Sequence, residues 1–116
     1  MTELVQVATT VDSEPKARAI ADQLVTERLA ACVQIVGPIG SVYRWNGQLE
    51  RATEWLCLAK TTRAGLDQLM NRIRAIHPYQ QPEILATAVL AADRGYQHWV
   101  ATEVGPPSQE TGDNPA

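Results

Sequence analysis

No stretch of the sequence approaches 18 consecutive apolar residues, so no transmembrane helix is expected. The N-terminal MTELVQVATT lacks the basic region and following apolar run of a secretory signal. A cytoplasmic protein is therefore the expectation. Basic stripes are missing too. The net charge is -3, and the lysines and arginines are scattered among acids, which argues against binding nucleic acid through its phosphates. There is no glycine-rich phosphate loop, no G-x-S-x-G and no H-E-x-x-H, so nucleophilic catalysis has no visible candidate. Stable metal sites take about three or four ligands. Two histidines and two cysteines, with no ligand pair at helical spacing, do not make a structural zinc site. Cys32 and Cys57 lie in apolar runs without C-x-x-C spacing, as buried reduced thiols would.

What is present suits one domain with one core. The chain has 116 residues, of which 45% are hydrophobic and 20% charged. Residues 4–10 are rich in valine and threonine, as in a strand. Asp12 or Ser13 then caps a helix with Pro15 in its first turn, its apolar stripe being Ala17, Ile20, Ala21, Leu24 and Val25, and its end near Arg28. AACVQIV and SVYRW form a second strand, interrupted by a bend or bulge at residues 37–40. Asn46-Gly47 predicts a type I′ hairpin turn, and residues 48–60 return as a third strand. Thr61 or Thr62 caps a second helix, with Leu66, Leu69, Met70, Ile73 and Ile76 at helical spacing. Pro78 ends it at His77. EILATAVLAAD reads as a fourth strand, and Asp93 opens a last helix carrying Tyr96, Trp99 and Val100. The order is β-α-β-β-α-β plus a helix, an α+β ferredoxin-like arrangement over residues 1–104. Residues 105–116 are expected to be a disordered tail.

A single copy fits this pattern poorly. Residues 31–45, extended at ~3.3 Å each, span roughly 50 Å, whereas a helix over residues 14–28 reaches about 22 Å. The hairpin overshoots its cover. AACVQIV, WLCLA and ILATAVLAA are also apolar on both faces, while helices hide only one. Further copies of the chain are the simplest cover, with chance alanine enrichment as the plainer explanation. A two-residue loop at 46–47 sets Cys57 opposite Val36 instead of Cys32, so no intrachain disulfide is expected.

The candidate site residues are Tyr43, Trp45, Lys60, His77, Tyr79 and Glu83, with Arg44 beside them. If the hairpin arm crosses to a neighbour, Tyr43 and Trp45 meet His77 or Lys60 of another chain. Such a cleft offers an aromatic wall, a cation and an imidazole to a small anion or a metal ion. Each residue also has a plain structural role. His77 suits a helix C-terminus, Tyr79 plugs the core, Trp45 packs across the hairpin, Arg44 is solvated, and Glu83 flanks the strand or pairs with an arginine.

ERLAACVQIVGPIGSVYRWNGQLE, then LAKTT and IHPYQQPEILA, closely resembles the CutA divalent-cation tolerance family over about residues 4–103. The resemblance implies a ferredoxin-like subunit in a compact homotrimer whose long hairpins pair between subunits, an architecture similar to that of PII-type signalling proteins. It implies a role in tolerance to copper and other divalent metals, with no reaction catalysed and no cofactor required. Tyr43, Trp45, Lys60, His77, Tyr79 and Glu83 stand at the family's signature positions, with His77 as the expected metal ligand. This chain has Ala8 and Ile76 where some members carry cysteine and histidine, and Arg44 and Asn46 depart at the hairpin tip. Only weak binding of copper or another divalent cation is therefore expected. A small-molecule sensor of PII-like design is the second expectation, and an acid–base enzyme using His77 and Glu83 the third.

Overall fold

The computed structural model describes residues 2–105. The elements are β1 (Leu4–Val11), α1 (Glu14–Thr26), β2 (Cys32–Trp45), β3 (Gln48–Thr62), α2 (Leu66–Ile76), β4 (Leu85–Ala88) and α3 (Arg94–Glu103). One sheet of order β2-β3-β1-β4, antiparallel throughout, carries the fold. This is the expected α+β, ferredoxin-like topology with an added C-terminal helix. Of the expected tail, only Gly105 is described, and its N–H donates to the Arg28 carbonyl. Residues 106–116 lie outside the described residues.

The core follows from register. Val7 faces Ala59 and Val11 faces Trp55 across β1 and β3, while Val33 and Ile35 of β2 join Ala59 and Cys57. This face packs on Ala17, Ile20 and Leu24 of α1 and on Leu69 and Ile73 of α2. Ser13 caps α1 by accepting from the Lys16 N–H at 3.2 Å. Val25, placed on the apolar stripe by spacing, is 40% exposed and lies at the stripe's edge.

Three boundaries differ from the sequence expectations. β3 runs through Thr62, and α2 starts only after Gly65, which has no side-chain cap. Thr62 instead accepts the Gly65 N–H and opens a turn, while Thr61 donates to the Leu29 carbonyl. Both threonines are spent on the sheet end, so neither caps the helix. β4 covers only Leu85–Ala88, paired with residues 5–8 of β1, and the chain leaves the sheet after the Val89 N–H donates to the Leu4 carbonyl. The hairpin register also slips by one at the bulge between Val36 and Ile39. Cys57 therefore faces Ile35, and Cys32 faces Lys60. Both cysteines are free, as expected, but only Cys57 is buried; Cys32, on the edge strand β2, is half-buried. Burial pushes the Cys57 thiol up to about 11.

The hairpin does outrun its cover. β2 has 14 residues, about 46 Å at strand rise, against about 20 Å for the 13 residues of α1. The turn at its tip has Asn46 and Gly47 at positive φ, 51° and 77°, as type I′ geometry requires. On the face away from α1 and α2, α3 covers one end through Val100, packed with Leu4 and Ala31. Val36, Leu85 and Leu90 remain exposed.

The bulge needs a glycine for space. A Cβ on Gly37 falls 2.4 Å from Cδ1 of Trp55, whose ring lies across the backbone. Gly37→Ala is expected to displace the ring and destabilise the protein by about 1–3 kcal/mol. Urea denaturation checks this, and Gly40→Ala, with nothing near its Cβ position, is the spatially neutral control.

Candidate functional site

The site is organised by the chain between α2 and β4. Pro78 holds His77 out of helical geometry, at φ -73° and ψ 136°. The His77 ring thereby reaches across to the end of β1. Its Nε2–H donates to the Thr10 carbonyl at 2.8 Å, and Nδ1 accepts the Tyr79 N–H at 3.1 Å. Only the neutral Nε2-protonated tautomer satisfies both bonds. His77 is buried, and burial holds its pKa below the usual value. The Thr10 bond and the negative fields of Glu54 and Asp12 oppose that shift without cancelling it.

The imidazole in turn sets Tyr79, whose ring meets it edge-on with centroids 4.8 Å apart. The Tyr79 hydroxyl donates to Oε2 of Glu54 at 2.7 Å. Burial and this carboxylate raise the Tyr79 pKa, keeping the phenol protonated as a donor. Glu54 sits in β3 just past the bulge, 6% exposed. By register Ile39 faces Glu54 and Tyr43 faces Glu50, so Ser41, Tyr43 and Trp45 share Glu54's face of the hairpin arm. Arm and loop together bound a cleft of about 720 Å³, lined among others by Thr10, Tyr43, Trp45, Glu54, Tyr79 and Glu83. That is the size of a small-molecule site.

Four of the six sequence candidates thus meet: Tyr43, Trp45, Tyr79 and Glu83 line one cleft within a single chain, where the sequence called for a neighbour. His77 lies behind the wall as a support, with both nitrogens engaged. Lys60 stands apart within the chain. It is ten residues along β3 from Glu50, roughly 33 Å, and its ammonium donates to Gln6 beside Cys32. Burial lowers its pKa. His77 and Glu83 form no hydrogen bond with each other; His77 spends its ring on Thr10 and Tyr79, and Glu83 is exposed. Glu54, Thr10 and Ser41 were missed. The available signal for Glu54 was a lone acid at the head of the apolar run EWLCLA, with an aromatic–proline loop to receive it. Among the described residues, no group of three or more His, Cys, Asp and Glu side chains is placed to hold a metal ion.

A second concavity, of about 420 Å³, lies around Arg28 and Gly65. Its charges are engaged in closing the fold. Glu27 takes a two-pronged bond from Arg72 at 2.9 and 3.0 Å, and Arg28 donates to the Thr102 carbonyl.

Residues 5–103 match the family model of the CutA1 divalent ion tolerance protein. The chain belongs to the CutA1 family. The divalent-cation tolerance protein CutA of Thermus thermophilus is 46% identical over 99 residues, 85% of this chain and 96% of that one. The mouse CutA protein is 37% identical, and the chain spans about half of it, 51%. Among solved structures, the Thermus thermophilus protein superposes with a TM-score of 0.83 at 45% identity, covering 90% of this chain and all of its own. CutA from Synechococcus elongatus, solved in complex with a Bis-Tris molecule, gives a TM-score of 0.82 at 36% identity, covering 90% and 96%. A periplasmic divalent cation tolerance CutA from Archaeoglobus fulgidus gives 0.83 at 30% identity, covering 90% and 100%.

Two outcomes follow from the His77–Tyr79–Glu54 relay. Tyr79→Phe leaves the buried Glu54 carboxylate short of a donor and is expected to cost about 1–3 kcal/mol in urea denaturation. Because the folded His77 pKa lies below its unfolded value of 6.5, the unfolded chain takes up the proton first as pH falls. The stability from neutral His77 is complete above pH 6.5 and is lost as pH falls from there towards the folded-state value. His77→Gln, whose amide can still donate to Thr10, is expected to flatten that slope in melting curves between pH 7.5 and 5.

Proposed function

We propose that this CutA-family protein is a homotrimer that serves the response to divalent cations by binding a small ligand, without catalysing a reaction. The cleft between arm and loop carries this reading. Its polar groups are held in place by His77 and Pro78, and its mouth is aromatic and open. A relative from Synechococcus elongatus binds a Bis-Tris molecule, and a small-molecule site here agrees with that.

Trimeric assembly is supported by the apolar face that a single chain leaves open at Val36, Leu85 and Leu90, and by the unpaired outer edges of β2 and β4. Sedimentation at micromolar concentration is expected to give roughly three times 12.7 kDa. A folded species of single-chain mass overturns the assembly. No helix among the described residues is long and apolar enough to cross a membrane. The cytoplasm is the proposed compartment, although the Archaeoglobus fulgidus relative is described as periplasmic.

Metal enters this reading weakly. Copper or another divalent cation at His77 has to displace the Thr10 or Tyr79 bond to reach a ring nitrogen, which costs affinity. Calorimetric titration with copper and zinc is expected to show weak, saturable heat that His77→Ala removes. Heat unchanged in the variant excludes His77 as a ligand. A thermal-shift screen of small organic molecules tests the cleft itself, since a ligand of the native state raises Tm.

A further inference from the structure

We infer that Glu54 of one subunit forms an ion pair with Lys60 of the partner subunit, and that three such pairs close the homotrimer. This deepens the preceding proposal and rests on the trimer, in which further copies cover the open face of the sheet. Side chains alternate along a strand, and Trp55, Cys57 and Ala59 of β3 pack towards α1 and α2. Glu54, Leu56, Leu58 and Lys60 therefore share the opposite, open face. Short of the arm, the other strand residues on that face are apolar or uncharged. Its two charges have opposite signs and stand towards its two ends, roughly 20 Å apart along β3.

Neither charge is matched within its own chain. Glu54 is buried, its side chain takes one hydrogen bond among the described residues, from Tyr79, and it enters none of their ion pairs. Lys60 is half-buried and donates to Gln6, a neutral group, which leaves further ammonium hydrogens to be satisfied. Covering this face with other copies takes away the water that serves Lys60 in a single chain. An unpaired charge in such an interface is costly, and pairing the two across it offsets both costs. Arg44 and Arg51 stand on the other face of the arm by register, so Lys60 is the cation that this face offers. A ring of three is built from one heterologous contact repeated, each copy giving one patch to the copy before it and another to the copy after. A face with a carboxylate towards one end and an ammonium towards the other suits that contact.

Glu54→Gln, which keeps an acceptor for Tyr79, Lys60→Met and the double variant test the pair in the full chain. Trimer dissociation is followed by sedimentation at a fixed guanidinium concentration. Each single substitution is expected to raise the dissociation constant about tenfold or more, and the double variant to be no weaker than either single one. Residues this far apart in one chain add their effects, so such coupling arises only between chains. Losses that simply add, or single variants as tight as the unchanged protein, overturn the pair and leave the trimer standing. If a single variant fails to fold, carbodiimide, which joins touching carboxylate and ammonium groups, is applied to the unchanged protein. A peptide linking Glu54 to Lys60 in a species of two or three chain masses is expected; Lys60 joined to another acid, or to none, overturns the pair. An unchanged chain that sediments as a monomer overturns the pair and the trimer together.

Discussion

A two-stranded ribbon longer than the helices that cover it sets the terms for the rest of the structure. The helical layer stabilises the sheet as far as Trp55 and Ile35. Beyond the bulge at Gly37 and Pro38 the strands continue without cover, held by the β2–β3 ladder and the type I′ turn. A two-stranded ribbon is only marginally stable alone in water. The arm therefore needs lateral support, and the nearest chain able to give it is the segment leaving α2.

That need accounts for the economy of the 77–83 loop. Pro78 turns the chain out of the helix, which frees the His77 ring to reach β1 instead of solvent. Once there, the imidazole has no spare nitrogen, and its job is to fix the N–H of Tyr79. Tyr79 then ties the loop to Glu54 on the arm. A histidine that looks catalytic by composition is thus a strut between β1, loop and arm. Buried polar chains of this kind hold one geometry well, because breaking any member leaves another unsatisfied in low dielectric.

The same relay shapes the electrostatics of the cleft. Arm and loop approach each other through acids and aromatic rings, with Arg44 and Arg51 on the other face of the arm by register. Arg72 closes the end of α1 on Glu27, and Arg28 anchors α3. Lys60 stands at the other end of the sheet. Segregating charge in this way leaves the cleft acidic in a chain whose net charge is only -3.

Local chemistry was legible in the residues themselves. A cap at Asp12 or Ser13, Asp93 as the second cap, Asn46-Gly47 as the turn and Pro78 as the stop all act within a few bonds, so they follow from residue type, and the structure chose Ser13 of the first pair. The overshooting hairpin was legible as well, because strand and helix rise are constants of the backbone. Tertiary structure alone decided that Thr61 and Thr62 belong to the sheet, that β4 stops at Ala88, and that Cys57 faces Ile35. It alone gathered Glu54 with Tyr79 and parted Lys60 from Trp45. Those outcomes depend on which strand lies alongside and on a one-residue slip at the bulge. Such long-range pairings leave no trace in spacing or composition.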